Sequence, residues 1–261
     1  LNENKSNIDL TNIKLNKNFE TINFEKVEIK TFLNKNKNND YVIKKEENID
    51  VSGDIFDAEP LLKSLFKNNN KKIFDKNFKS KLKIDFKKIL SGTSDNIHNV
   101  SMIASINKGS YSNLSLKGNF TKNELIEMSI YKIDDNKKTL QVISDRAGPF
   151  IKHFDFIKGF EDGKLEYESI ISKEGTSSNL LITDFKVSEV PTLAKLLTLA
   201  SLRGIADTLS GEGIRFESFE MKSNSIGNIM NIEDALAIGP AVSILLEGYV
   251  DKGKTVSLRG T

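Results

Sequence analysis

The sequence predicts a mainly β fold, of the α+β type, with a few short helices. Apolar residues alternate with polar residues through most of the chain, which places every second side chain on one face of a sheet. Turn-forming Gly, Asn and Asp residues separate the alternating segments, as at residues 134–138, 160–164 and 250–254. Helix-like segments are few and begin alike. These observations predict antiparallel hairpins with one apolar and one polar face.

The predicted strands follow from sets of apolar residues that lie at every second position. In chain order, the sets are Leu82, Ile84 and Phe86; Val100, Met102, Ala104 and Ile106; Leu114, Leu116 and Phe120, after the turn-like KGSYSN; Leu165, Tyr167 and Ile171; Ile214 and Phe216; and Val242, Ile244, Leu246 and Val250. Polar and charged residues fill most of the intervening positions. Each set therefore predicts a strand with one apolar face.

Three proline-containing segments, residues 57–66, 145–154 and 188–197, predict the helices. Proline is accepted in the first helical turn because the N–H groups there have no intrahelical acceptor. Asp57 or Ser188 is placed to cap such a helix from upstream. A stranded stretch follows each segment, so we predict a repeating unit of one short helix and several strands, with uneven spacing between units.

The third predicted helix is the most apolar. Within residues 192–202, Lys195, Thr198 and Ser201 share one face. The other face consists of Leu193, Leu196, Leu197 and Ala200, with Leu199 at the flank. Such a stripe fits a helix that packs on the core, and it also fits one that contacts lipid or a partner. The sequence leaves both readings open.

The charge balance argues against a nucleic-acid-binding protein. The 261 residues include 38 Lys and Arg against 36 Asp and Glu, a net charge of +2, whereas nucleic-acid binders gather a basic excess on one face. The Lys- and Asn-rich runs at residues 34–40 and 67–72 predict solvated loops. No apolar run approaches the roughly 18 residues of a membrane span. The chain begins with Leu1 and stops within a predicted strand, so we interpret it as a piece whose signal or anchor lies outside it.

Residues that carry catalysis or bind metals are scarce. The chain has no cysteine, and His98 and His153 lie in unrelated contexts, so thiolate catalysis, cysteine-ligated zinc and a histidine-based triad have no candidates. The acidic pairs at residues 161–162 and 233–234 fall in predicted turns, where solvation or capping explains them. A hydrolase with paired carboxylates is not refuted, but nothing favours it. We predict no enzyme activity, no catalytic residue, no cofactor and no metal.

The octapeptide GYVDKGKT, from Gly248 to Thr255, matches the phosphate-loop pattern G-x-x-x-x-G-K-[ST]. A phosphate loop requires a helix directly after it, because the free N–H groups and the dipole of that helix hold the phosphates. The residues that follow, VSLRGT, alternate like a strand, and Tyr249 and Val250 are bulky where the backbone must approach phosphate. We therefore interpret residues 251–254 as a hairpin turn, and nucleotide binding is the least expected function.

The C-terminal part of the chain carries a set of short motifs: Pro191 with the Leu-rich helix, Ser201 to Gly204, Gly211, Glu212 and Gly213 with Phe216, Gly239 and Pro240, Gly248 with Asp251, and Gly260 and Thr261. With these motifs it resembles the AsmA-like family of envelope proteins. The resemblance covers residues 145–261 and is weaker within residues 145–167. The Lys and Asn content and the first 50 residues depart from the family pattern.

This resemblance implies a large periplasmic protein of a Gram-negative bacterium, anchored in the inner membrane, with repeated β units. Those units form a curved, elongated sheet with a groove-like apolar floor. The implied function is non-catalytic: the groove shields acyl chains while phospholipid, or another acyl-chain lipid, moves between the inner and outer membranes. The residues expected to contact lipid are Leu193, Leu196, Leu197, Ala200, Val242, Ile244 and Leu246.

One alternative stays open, namely a structural or assembly module for the envelope or its outer-membrane proteins, with envelope proteins as partners. In that case the apolar faces close on each other as a dry core. Under either reading we expect three segments: residues 1–50 as strands of a preceding repeat, residues 51–140 as a first helix-plus-strands unit, and residues 141–261 as the AsmA-like unit.

Overall fold

The structure is a computed structural model that describes residues 6–15, 17, 21–67, 74–151, 159–188, 213–251 and 255–261. The chain divides into two compact units, Leu1–Glu127 and Met128–Thr261. The predicted segment boundaries near residues 50 and 140 stay a prediction. Among the described residues, none of the helices has the length and apolar character needed to span a membrane.

The described part of the first unit consists of strands and one helix. Its elements are β1 (Asn7–Thr11), β2 (Lys14–Leu15), β3 (Thr21–Asn23), β4 (Lys26–Leu33), β5 (Asn36–Lys45), β6 (Ile49–Asp57), α1 (Glu59–Lys67), β7 (Ser80–Leu90), β8 (Ile97–Asn107) and β9 (Ser110–Asn119). Strand β10 (Leu125–Lys132) contains the boundary to the second unit.

The second unit is also stranded. Its elements are β11 (Lys138–Ser144), α2 (Gly148–Ile151), β12 (Phe160–Ile171), β13 (Thr176–Val187), β14 (Ile214–Ile226), β15 (Ile229–Ile238), β16 (Ser243–Asp251) and β17 (Thr255–Gly260). Each of β11 to β16 pairs with the next strand in antiparallel fashion.

The predicted fold class is confirmed: the described chain is mainly β, with antiparallel strands and short helices. Within the first unit the hydrogen-bonded strand order is β1-β4-β5-β6-β7-β8-β9, and β2 and β3 pair separately; within the second unit it is β11-β12-β13-β14-β15-β16-β17. One pair departs from the predicted pattern, because β6 and β7 run parallel on either side of α1. Parallel neighbours cannot be joined by a tight hairpin, and the segment containing α1 supplies the longer connection.

The start of α1 agrees with the sequence prediction. The backbone N–H of Glu59 donates to Asp57 Oδ1 at 3.2 Å, so Asp57 caps the helix as expected. Glu59 and Lys63 form an ion pair at 2.8 Å one helical turn apart. The second predicted helix is described only as α2, since residues 152–158 lie outside the described part. The third, at residues 192–202, also lies outside the described residues.

The predicted loop at residues 34–40 is wrong. Asn34 and Lys35, with φ of 49° and 67°, form a two-residue hairpin turn, and Asn36 already belongs to β5. The side chain of Asn39 donates to Thr31 Oγ1 at 3.0 Å on the adjacent β4, so the Asn-rich run is held within the sheet. Lys and Asn composition predicted solvation, but strand pairing and side-chain hydrogen bonds decide the structure here. Of the second run, residues 68–72 lie outside the described residues.

The core of the first unit is one apolar face. Register pairs join one apolar row across it: Val27, Ile43, Val51, Ile84, Met102 and Leu116. Beside this row, Tyr41 packs edge-to-face on Phe56 and on Phe86, with ring centroids 5.6 Å apart in both pairs. Burial of the Tyr41 ring raises the pKa of its hydroxyl above the ordinary tyrosine value.

Candidate functional site: the apolar face of the second unit

Four rows of side chains cross the apolar face of the second unit, each following register pairs from strand to strand. The first row is Ser144, Leu165, Ile182, Phe219, Ala237 and Ile244. The second row is Val142, Tyr167, Leu180, Met221, Ala235 and Leu246. Neither row contains a charged residue, so an uncharged surface extends across β11 to β16.

The third row has polar serines in its centre, between apolar Leu140 and Ile232. It consists of Leu140, Ser169, Ser178, Ser223, Ile232 and Gly248, and we call its three serines the serine row. The fourth, outer row is Lys138, Ile171, Thr176, Ser225, Met230 and Val250. The face therefore passes from apolar to polar along β12, β13 and β14.

The serine row contains an unusual polar atom. Ser178 Oγ lies 3.0 Å from Tyr167 Oη, so these hydroxyls form a hydrogen bond on the apolar face. Ser169 is 1% exposed, and among the described residues its Oγ has no hydrogen-bond partner. Ser223 is 5% exposed. Sequence analysis missed these residues because serine normally indicates the solvent side of a strand; the available signal was that Ser169 lies two positions after Tyr167.

The opposite end of the same face is aromatic. Phe160, Phe185 and Phe216 stack across β12, β13 and β14, with successive ring centroids 5.3 and 5.2 Å apart. Ile151 of α2 is buried in the same cluster. The N–H of Ala147, just before α2, donates to the carbonyl of Gly163 at 2.8 Å and ties this segment to β12. The α2 segment therefore covers the aromatic end.

The three strands at this end each interrupt their alternation once. Ile182 and Phe185 are both buried although they lie three positions apart, and exposed Asp184 between them has a φ of 56°. In β12, Asp162 and Gly163 have φ of 62° and 84° at the neighbouring position. A left-handed residue reverses the side-chain alternation of an extended strand. The predicted turn at residues 160–164 is accordingly wrong: these residues form an irregular part of β12.

The predicted lipid-contacting residues of β16, and Val242 directly before it, are brought together on this face. Ile244 is 3% exposed and Val242 is 7% exposed, and both belong to the buried core cluster. Leu246, in the second row, is half-buried and packs against that cluster. The other predicted contacts, Leu193, Leu196, Leu197 and Ala200, lie outside the described residues.

The reverse face mixes charged side chains with exposed Ile143 and Leu245, and it carries a shallow depression of about 380 Å³. It is bordered by Gln141, Ile143, Glu166, Glu168, Leu181, Glu220 and Lys222, among others. Glu161 and Asp162 lie in β12, and Glu233 and Asp234 in β15, so neither acidic pair occupies the turn predicted for it. Within the described ranges, no group of acidic or histidine side chains is arranged to hold a metal ion.

The described residues of the phosphate-loop pattern lie at the end of one strand and the start of the next. After Thr255 the chain continues as β17, antiparallel to β16, which confirms the predicted hairpin. Gly248 has a φ of 145°, and a Cβ placed on it would lie 2.1 Å from the carbonyl oxygen of Ser257. This glycine is required by the close approach of two strands. Residues 252–254, including Lys254, lie outside the described part.

One charged side chain lies on the outer row. Lys138, at the start of β11, is half-buried, and this burial lowers the pKa of its ammonium group below the ordinary lysine value. It is positioned beside Ile171 of β12. The outer row thus combines a cation at one end with hydroxyl groups at Thr176 and Ser225 in its centre.

Fold and face together define a mainly β protein with one extended uncharged surface that ends in a row of hydroxyl groups. Comparison with protein-family models, with curated proteins and with solved structures finds no match.

Proposed function

We propose that the chain is a non-catalytic module of an envelope protein that shields the acyl chains of phospholipid during transfer between the inner and outer membranes. The observation that supports this most is the uncharged surface formed by the first and second rows across β11 to β16. The periplasmic location and the inner-membrane anchor rest on the resemblance of residues 145–261 to AsmA-like proteins.

The dimensions of this face suit an acyl chain. From Phe216 in the aromatic stack to Ser223 in the serine row, β14 advances by about 23 Å at 3.3 Å per residue. The acyl chains of one leaflet span about 15 Å, half the hydrocarbon thickness of a bilayer. Six neighbouring strands extend over about 24 Å. The face therefore exceeds the length of an acyl chain in both directions.

The chemistry of the face also suits an acyl chain. Tyr167, Leu180 and Met221 in the second row are half-buried, so they retain apolar surface for a ligand. Each methylene group removed from water contributes about 0.8 kcal/mol, and this non-directional interaction permits movement along the face. No reactive group is required for such transport.

A second candidate is a structural or assembly module, and the burial of Ile244 and Val242 favours it. Both side chains pack in a cluster with Ala147, Ile151 and Val142. Under this reading, the apolar face is a protein core, and the molecule contacts envelope proteins through other surfaces. The two candidates differ in what the second row contacts in the cell.

Site-specific photo-crosslinking distinguishes the two candidates. A benzophenone amino acid at Leu246, in the second row, is compared with the same group at Leu245, the adjacent β16 residue, which faces the other way and is 42% exposed. The lipid proposal expects phospholipid adducts at Leu246 and few at Leu245, detected by mass spectrometry after ultraviolet irradiation of cells. Adducts of protein alone at Leu246, or equal lipid labelling at both positions, would support the assembly role instead.

A further inference from the structure

We propose that the serine row, Ser169, Ser178 and Ser223, binds the oxygen atoms at the polar end of an acyl chain. The oxygen is the carboxylate of a free fatty acid or the ester carbonyl of a phospholipid, since both accept hydrogen bonds from hydroxyl groups. This inference rests on the proposed lipid-shielding function and adds to it a fixed orientation for the bound lipid.

The register of the strands aligns the three serines. Ser169 of β12 lies directly opposite Ser178 of β13, and Ser178 lies directly opposite Ser223 of β14. Side chains directly opposite each other in an antiparallel sheet have Cβ atoms about 5 Å apart. Three hydroxyl groups therefore form a line across three strands, on the same face as Leu165 and Ile182.

The hydroxyl of Ser169 is buried and, among the described residues, unsatisfied. Buried polar atoms almost always have a hydrogen-bond partner, because an unpaired one loses its hydration without compensation. Within the described ranges, the Oγ of Ser169 is buried and has none. The neighbouring Ser178 hydroxyl is already bonded to Tyr167. An oxygen of a ligand that accepts a hydrogen bond from Ser169 would remove this penalty.

The order of the rows along the strands gives a bound lipid one direction. The first and second rows lie between the serine row and the aromatic stack, and α2 covers that aromatic end. The outer row lies on the other side of the serine row and contains Thr176, Ser225 and the cationic Lys138. A lipid whose tail points toward α2 places its polar end at the serine row and its headgroup toward the outer row.

Binding of three fluorescent probes to the full chain tests this inference. The probes are cis-parinaric acid, a phosphatidylcholine with a parinaroyl chain, and diphenylhexatriene, which is a hydrocarbon without oxygen. The variants are Ser169→Ala, Ser178→Ala and Ser223→Ala, and Ser177→Ala is the matched control because Ser177 is exposed on the opposite face of β13. Loss of one hydrogen bond should weaken binding of the oxygen-bearing probes about three- to tenfold and leave diphenylhexatriene unchanged.

The outcomes separate the two proposals. If the wild-type chain binds none of the probes, the lipid-shielding function is overturned. If it binds all of them and the serine variants behave like Ser177→Ala, only the serine row is overturned. A loss confined to the fatty acid identifies the carboxylate as the ligand oxygen, and a loss with both lipids identifies the ester carbonyl as well.

Stability of the unliganded chain provides an independent readout. Ser169→Ala removes a buried unpaired hydroxyl, so its melting temperature should be equal to or higher than that of the wild type while its lipid affinity falls. A structural role for this hydroxyl would lower the melting temperature and weaken all three probes alike. If that happens, Ser178→Ala becomes the deciding variant, because Ser178 is half-buried. Unchanged lipid affinity of Ser178→Ala then overturns the inference.

Discussion

Phe185 of β13 lies directly opposite Phe216 of β14, and their rings stack with centroids 5.2 Å apart and planes inclined by 14°. Phe160 extends the stack on the other side of Phe185. Aromatic pairs add stabilisation beyond the area they bury. This stack anchors the end of the apolar face that α2 covers.

Phe216→Ala should lower the free energy of unfolding by about 3–5 kcal/mol, because it removes a buried ring from the centre of the face. Leu245→Ala is the control, since Leu245 is 42% exposed and should change stability by less than about 1 kcal/mol. Urea unfolding followed by circular dichroism measures both variants. Similar small losses in the two would show that the stack is not part of the stabilising core.

The free energy of unfolding should depend on which residue occupies position 184, because the φ of 56° at Asp184 lies in the left-handed region. Asp184→Val should cost about 1–2 kcal/mol, since a β-branched residue is disfavoured in that conformation. Asp184→Gly should be close to neutral. If valine and glycine gave the same stability in urea unfolding, the interruption of alternation in β13 would not depend on this backbone conformation.

Gly248→Ala should loosen the pairing of β16 with β17, because the added Cβ would lie 2.1 Å from the Ser257 carbonyl oxygen. Hydrogen exchange of the β17 amides should become faster, and melting temperature should fall. Lys254→Ala, elsewhere in the same octapeptide, should leave both unchanged. ATP with magnesium should not raise the melting temperature of the wild type; a rise that Lys254→Ala abolishes would restore the nucleotide-binding reading.

Ile244→Lys should prevent folding or destabilise the chain severely, because Ile244 is 3% exposed and a charge there is taken out of water. Leu245→Lys, on the other face of the same strand, should be tolerated. Soluble yield and urea unfolding of the two variants provide the comparison. Equal tolerance of both would contradict the assignment of the apolar face to the Ile244 side of β16.

Burial of the Tyr41 hydroxyl should make the stability of the folded protein fall at alkaline pH. Burial raises the pKa of Tyr41 in the folded protein above the ordinary tyrosine value of 10.0, so the unfolded chain releases this proton first as the pH rises. Stability should therefore fall above about pH 10, through the window up to the folded-state pKa. Tyr41→Phe should lose less stability than the wild type between pH 8 and about pH 10.5, measured by urea unfolding. An identical pH dependence would exclude Tyr41 as a source of it.

Much of the stranded architecture was predictable, because period-2 alternation is written into each strand independently. The sets Val100 to Ile106 and Leu82 to Phe86 fall in β8 and β7 as expected, and the turn between β8 and β9 contains Lys108 and Gly109 with positive φ. The cap at Asp57 was also predictable, since capping depends on a few neighbouring residues.

The errors occur where composition and local pattern gave the wrong signal. Residues 34–40 were expected to be a loop, but the Asn39 side chain bonds to Thr31 and the run continues into β5. Residues 160–164 were expected to be a turn, but Asp162 and Gly163 with positive φ lie within β12. In the first case a hydrogen bond to the neighbouring strand β4 decides the structure. In the second case pairing with β13 continues on both sides of the residues with positive φ.

For the candidate site, the side chains that share a face along each strand could be predicted from the order of residues, because alternation is a property of consecutive residues. That pattern puts Ile244 and Leu246 together on β16 and indicates a strand after Thr255. The neighbours of each residue on other strands could not be predicted, because register depends on pairing between separate segments of the folded chain. That pairing aligns Ser169, Ser178 and Ser223, stacks Phe185 on Phe216, and buries Ile244 under neighbours that the chain alone does not reveal.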